Sequence, residues 1–287
     1  MAALPYIATL WVGDSLGWLG HLSLTSFAVR GHAVTLYHTH DLPDPGITGV
    51  SLRPARDVFA YDDALLDRAR ADVFADIFRL NMIRATGAIW VDLDVLCMQP
   101  LQLFDGYLVG MEFPGRDINN GVLCLPKDSP ALAGLVERFA DPTYVPEWLA
   151  PRIKAKVMKA APEERLLEAT RLNTPALGPR ALTWMLRQTG EDGHALPYPA
   201  LNPVPWALND LYFSPLGDAR NWMTDDTMTA HIYSSMLRRP HRVRRPMSGS
   251  VVADIAEEVG FDLDAFGLKP NGLDGAEDGI TFDTALN

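Results

Sequence analysis

Apolar residues along the first half of the chain fall into short runs separated by longer amphipathic stretches. The runs "LPYIATLWVG", "HAVTLYHT" and "AIWVDLDV" read as buried strands. Between them, "DSLGWLGHLSLTSFAVRG" reads as a helix opening on Asp14 as a cap and stopping at Gly31. The stretch "DLPDPGITG" is rich in proline and glycine and reads as a loop. "LLDRARADVFADIFRLNMIRATG" then carries one long helical pattern that ends at Gly87. Farther on, "YLVGMEF" and "GVLCLP" flank "INNG", and Asn120-Gly121 is a favoured hairpin dipeptide, so this region reads as two strands around that turn. Helices are expected at "SPALAGLVERFA", "EERLLEATR" and "GPRALTWMLRQTG", and loop or short strands in "LPYPALNPVPWALNDLYFSP". Strands alternating with helices predict an α/β chain with a mostly parallel central sheet, helices on both faces and a less regular carboxyl-terminal half.

One run breaks its own pattern. "IWVDLDVL" should be buried, yet it carries Asp92 and Asp94. A buried carboxylate is costly unless a cation, a proton or several hydrogen bonds neutralise it. On a continuous strand, residues two apart share a face, so both carboxylates would project together and Leu93 would point away. A shared divalent cation removes their repulsion, and Mg²⁺ or Mn²⁺ prefers such hard oxygens together with substrate phosphates. Ligands of open α/β sheets gather at the carboxyl ends of strands, where this pair falls. The same triplet recurs at Asp262 and Asp264 among solvated acids, where it receives no function. On the preceding helix, Asp72, Asp76 and Arg79 fall in one stripe at the helical period. That stripe is either an i,i+3 ion pair or the charged lining of a polar pocket.

The 287 residues are 48% hydrophobic and 21% charged, an ordinary globular composition with ample chain for a core. A net charge of −11 argues against non-specific binding to nucleic acid or anionic membrane. The charge is uneven: nine acids and one lysine follow from Val251 onward, while "LRRPHRVRR" just upstream holds five arginines. This predicts a main domain over residues 1–248 and an acidic tail over 249–287, partly helical or poorly ordered. Cys97 and Cys124 lie in apolar runs and read as free thiols of a reducing compartment. The amino terminus lacks a basic start, and no run approaches the roughly 18 apolar residues of a membrane span. A cytoplasmic protein without an integral membrane segment is expected, with peripheral contact to a membrane-bound acceptor left open through the Trp206–Phe213 segment.

Taken together, "ADIFRLNMIRATGAIWVDLDV" resembles the signature of glycosyltransferases with a DXD sugar-binding region. That family includes initiation-mannosyltransferase-like and α-1,4-galactosyltransferase-like enzymes, and clostridial glucosylating toxins share a similar block. Its pattern, roughly S-D-x-x-R, a Gly-Gly pair, an aromatic and D-x-D, is met in order by Asp76, Arg79, Gly87, Trp90, Asp92 and Asp94. Ala75 and Ala88 depart from it without removing a ligand. Weaker echoes are "LWVG", "SFAVRGHAVTLY", "INNGVL", "GPRALT" and "HIY". The resemblance implies a GT-A nucleotide-diphospho-sugar transferase fold and a metal-dependent hexosyltransferase that retains anomeric configuration. Its donor would be a nucleotide-diphosphate sugar, UDP being the commoner base and GDP the alternative. Its acceptor would be a glycan or a lipid-linked one, as in polysaccharide biosynthesis.

By the same resemblance, Asp94 would ligate Mn²⁺ or Mg²⁺, with Asp92 reaching the metal directly or through water, ribose or sugar hydroxyls. Asp76 and Arg79 would bind the donor sugar, and His231 would be a third metal ligand. Trp11 offers an aromatic face for the donor base, though a tryptophan ending an apolar strand also serves a core. Asn119 and Asn120 would reach the sugar or simply form a hairpin. Two other readings stay open. A nucleotidyltransferase would show a basic residue after a glycine-rich loop, which "LWVGDSLGWLG" lacks. A non-catalytic glycan-binding or scaffold protein of the same fold would bind without turnover.

Overall fold

The computed structural model describes residues 3–271. Its strands are β1 (Ile7–Trp11), β2 (Val34–His38), β3 (Val50–Pro54), β4 (Ile89–Val91), β5 (Val95–Cys97), β6 (Leu108–Met111), β7 (Ile118–Cys124) and β8 (Thr229–His231). Six of them form one sheet in the order β3-β2-β1-β4-β7-β6. The pairs β2–β3, β1–β2 and β1–β4 are parallel, while β7 runs antiparallel to both neighbours. A second, antiparallel ribbon joins β5 to β8.

The central strands read as unbroken apolar runs because both their faces are covered. Ala8, Leu10, Trp90 and Leu123 point into one layer, and Ile7, Leu36, Ile89 and Val91 into the other. The helices are α1 (Trp18–Val29), α2 (Asp63–Arg68), α3 (Ala71–Thr86), α4 (Pro130–Phe139), α5 (Pro151–Val157), α6 (Arg165–Leu172), α7 (Pro179–Thr189), α8 (Tyr198–Leu201), α9 (Arg239–Val243) and α10 (Val251–Glu258). The apolar sides of α3, α4 and α7 cover the first face, and α1 covers the second through Leu24 and Phe27. The expected α/β architecture, mostly parallel at its centre and flanked by helices on both faces, is present.

Several local expectations are corrected. The pattern 65–87 is two helices, because Ala69 and Arg70 are extended between them. Helix α1 starts at Trp18 behind Gly17, and Asp14 caps nothing there. Strand β3 pairs with β2 just past the loop, where no strand was expected. The proline- and aromatic-rich stretch after residue 196 forms α8 and a short 3-10 turn over Trp206–Phe213 in place of strands.

Two corrections bear on the site. The run through Asp92 and Asp94 is not one strand. β4 ends at Val91, residues 92–94 turn with Val95 N–H donating to Asp92 C=O at 3.0 Å, and β5 leaves for the second ribbon. Nor is Asn120-Gly121 a hairpin turn. Both residues lie inside β7, and the reversal is made at residues 112–117, where Glu112 N–H donates to Asp117 C=O at 2.8 Å. Pro114-Gly115 supplies the turn, with Gly115 at φ 90°.

The acidic segment after residue 249 is in part built into the domain. Val252 and Ile255 of α10 are buried with Trp18 and Leu22 of α1, so its acids are the outer face of an amphipathic helix. Residues 272–287 of the expected tail lie outside the described residues. Truncating Ile255, 3% exposed, leaves a cavity in that contact. Ile255→Ala should therefore cost about 2–4 kcal/mol in urea unfolding, where an appended tail would give almost nothing.

Candidate functional site

The site sits where the chain passes from one sheet to the other. Asp92 N–H donates to Gly121 C=O in β7 at 2.7 Å, and Asp94 C=O accepts from Ile232 N–H, just after β8, at 2.9 Å. The two-residue step is thus stitched to both sheets. Asp92, Asp94 and His231 offer ligand atoms that all lie within 4.8 Å of one another. The convergence expected from a strand is achieved instead by a turn.

His231 is held on three sides. Asn202 Nδ2 donates to Met111 C=O at 3.1 Å, which turns its Oδ1 toward His231 Nδ1, 3.1 Å away. Nδ1 must therefore carry a proton, and in the neutral ring Nε2 is left with the lone pair that a metal requires. Tyr233 stacks on the imidazole at 3.9 Å between centroids and 17° between planes. Tyr233 itself sits at φ 54°, a left-handed conformation that a non-glycine residue adopts at some cost. On the remaining side, a Cβ added to Gly121 would come within 2.6 Å of His231 Cε1. Glycine in β7 is what makes room for the ring.

Nε2 of His231 faces Asp94 Oδ1 at 3.5 Å, and Asp94 Oδ2 accepts from Ser234 N–H at 2.7 Å. Burial works against the Asp94 charge, but His231 and the Ser234 hydrogen bond outweigh it and hold the carboxyl at about 2. Burial likewise opposes an imidazolium at His231, yet Asp94 wins and raises it above its ordinary 6.5. Asp92 goes the other way. Burial lifts its carboxyl despite the Arg79 charge, and the neighbouring Asp94 adds to the rise.

Arg79 of α3 joins the acids into a network. Its guanidinium lies 3.2 Å from Asp92 and 3.4 Å from Asp76, donates to Asn120 C=O, and lies over the Trp90 ring at 4.8 Å. Trp90 Nε1 donates to Asp92 Oδ1 at 2.8 Å. Asp76 also accepts from Asn120 Nδ2 at 2.9 Å. Burial pushes the Asp76 carboxyl up to about 6 against the pull of Arg79. Gly178, from "GPRALT", lines the same corner, where a Cβ would stand 3.1 Å from Asp76 Oδ2. Asp72 does not join the stripe; it is exposed and pairs with Arg70.

The neighbouring asparagines reach this network because β7 is irregular. Leu108 pairs with Cys124 but Gly110 pairs with Asn119, so β7 carries extra residues between these points. Such a bulge re-aims side chains. Asn120 turns to Asp76, while Asn119 Oδ1 accepts from Gly121 N–H and its Nδ2 lies 3.4 Å from Glu112.

Trp11, at the end of β1, borders a cavity of about 350 Å³ with Trp18, Leu93, Ser234 and Arg242. Its indole Nε1 is buried without a hydrogen-bond partner among the described residues. A larger cleft of about 600 Å³, bounded by Gln99, Phe104, Pro199 and Asp226, holds none of the acidic cluster. The basic run is largely committed to structure. Arg242 donates to the carbonyls of Ser234, Ser235 and Leu237, Arg238 pairs with Asp210 at 2.9 Å, and Arg245 pairs with Asp264 at 2.9 Å.

The structure thus brings together Asp76, Arg79, Asp92, Asp94, Asn119, Asn120 and His231, with Trp11 bordering a cavity at the same sheet edge. Sequence reasoning missed Asn202, Tyr233, Glu112 and the steric role of Gly121. Only Tyr233 carried a signal, as part of "HIY". No family profile and no curated protein matches this chain. Among solved structures, it is similar to the PaToxG glycosyltransferase over 64% of this chain and 68% of that one, at 15% identity and a TM-score of 0.41. Likeness at that level assigns no activity.

Two outcomes follow for the pair at the centre. Its stability from His231 is complete below 6.5 and fades as pH rises through the raised imidazole value. On the acid side, the share from Asp94 is present above 3.8 and fades as pH falls toward about 2. Asp94→Asn removes the largest influence raising His231 and leaves only Asp92 and Glu112 against burial, so the His231 titration followed by NMR should move to lower pH than in the unmodified protein. Gly121→Ala should displace the ring and shift its imidazole resonances even with Asp94 intact.

Proposed function

We propose that this chain is a divalent-metal-dependent glycosyltransferase of the GT-A type that moves a hexose from a nucleotide-diphosphate sugar to an acceptor hydroxyl. The observation that carries this reading is the convergence of Asp92, Asp94 and His231 within 4.8 Å, beside a buried arginine–carboxylate–asparagine network. Two carboxylates and an imidazole with a free Nε2 suit Mn²⁺ or Mg²⁺. Asp92, Asp94 and His231 would hold that ion, which when bound supplies positive charge to a departing diphosphate.

The chain's own residues do the rest. Asp76 and Asn120 offer an acceptor and a donor for the hydroxyls of the transferred hexose. Arg79 holds Asp76 and Asp92 in register and keeps a fixed cation beside the reacting centre, where developing charge is best stabilised. The cavity at Trp11 and Trp18, of about 350 Å³, is the seat this reading gives the nucleoside base, its aromatic walls suiting a planar ring, with UDP the commoner base of the resemblance and GDP the alternative. Retention of configuration, an acceptor that is a glycan or lipid-linked sugar, and a cytoplasmic site of action remain part of this reading, drawn from the resemblance of the "ADIFRLNMIRATGAIWVDLDV" block. No helix among the described residues is long and apolar enough to cross a membrane.

A thermal-shift series with MnCl₂ and UDP or GDP tests the site. At ligand near 100 times its dissociation constant, the melting temperature should rise by on the order of 5 °C. Hydrolysis of UDP-glucose, UDP-galactose or GDP-mannose with Mn²⁺ should be detectable and should fall about 100-fold in Asp94→Ala. Asn202→Ala, which frees the ring that Asp94 faces, should weaken Mn²⁺ binding by about 10–100-fold. Glycan binding with no turnover and no response to metal would instead identify a scaffold protein.

A further inference from the structure

The ends of neighbouring strands set out the groups of the site in a line. Trp11 ends β1, Asp92 follows β4, Asn119 to Gly121 lie in β7, and Glu112 follows β6, in the spatial order of the sheet. Under the function proposed above, this line runs from base to diphosphate to hexose, and Glu112 stands at the next place along it. Its carboxylate is half-buried and touches Asn119 Nδ2 only at 3.4 Å, so its acceptor capacity is largely unused by the protein.

Beside it the chain builds an aromatic wall. Phe113, next in sequence, meets Tyr198 edge-on at 5.3 Å and Trp222 edge-on at 5.7 Å. Phe113 is 39% exposed, and Tyr198 and Trp222 are each partly exposed. Phe113 and Tyr198 pack on none of the buried core clusters, and Trp222 joins them from the rim of one; exposed apolar patches rimmed by polar groups mark binding surfaces. Their chemistry matches a sugar ring: C–H faces pack on aromatic planes while hydroxyls donate to a carboxylate.

We infer that Glu112, with Phe113, Tyr198 and Trp222, forms a subsite for a neutral saccharide acceptor. Glu112 accepts the hydrogen bond of a ring hydroxyl, and the aromatic wall orients the ring toward the hexose end of the donor. This inference rests on the transferase reading, which supplies the direction of the line.

The test is a glycan array probed with the full-length protein, with and without UDP and MnCl₂. At least one class of neutral glycan should be retained, and Glu112→Gln and Phe113→Ala should each reduce its signal at least tenfold. Both variants should keep the thermal shift produced by UDP and Mn²⁺, which shows that they fold and that the donor site is intact. An array on which no glycan is retained, with that thermal shift present, overturns the subsite and leaves the donor site standing, and a polypeptide acceptor would give this result. Retention that survives both substitutions also overturns it. Absence of the thermal shift in the unmodified protein strikes the transferase reading instead, and the array then still decides whether Glu112 and Phe113 bind sugar.

Discussion

The site depends on one short turn that belongs to two sheets. Asp92 is tied through its backbone to β7 of the large sheet, and Asp94 through its backbone to Ile232, just after β8 of the small one. Two carboxylates brought this close repel, and neither can move away without breaking a sheet contact. The surrounding side chains answer that repulsion from opposite directions. Arg79 neutralises the Asp92 side and His231 the Asp94 side, so the pair is divided between a permanent cation and a titratable one.

That division explains why the carboxyls move apart in acidity. Asp94, with an imidazole and a backbone N–H on its oxygens, stays ionised, while Asp92 and Asp76 share one guanidinium and are lifted by burial. Three carboxylates around Arg79 and His231 leave the cluster short of positive charge whenever the imidazole is neutral. A buried arrangement of this kind is a poor source of stability. The left-handed Tyr233 and the steric demand on Gly121 are further costs that the fold carries at the same spot.

The outer parts of the molecule serve this centre at a distance. Arg242 reaches back to the carbonyls of residues 234, 235 and 237, which steadies the segment whose Ser234 N–H supports Asp94. Helix α10 packs on α1, whose Trp18 borders the cavity beside Leu93. Basic and acidic runs that look like solvated decoration in the sequence are therefore engaged in local structure, Arg245 pairing with Asp264 across them.

Periodicity and punctuation in the sequence determined the buried strands β1, β2 and β4, the helices α1, α4 and α7 to within a few residues, the carboxyl end of α3, and the α/β layering, because burial on two faces leaves a strong apolar signal. The spacing of Asp76, Arg79, Asp92 and Asp94 was equally legible, since all four lie on one continuous stretch of helix, strand and following turn. What only the tertiary structure decided comes from segments far apart in the chain. The break at Asp92–Asp94 exists because β5 finds its partner about 130 residues later in β8. The bulge that aims Asn119 and Asn120 depends on how β6 and β7 align, and the tautomer of His231 depends on Asn202 and, through it, on Met111. Local sequence carries propensity, but it carries no record of which distant backbone will meet a given hydrogen-bonding group, and at this site those meetings set the chemistry.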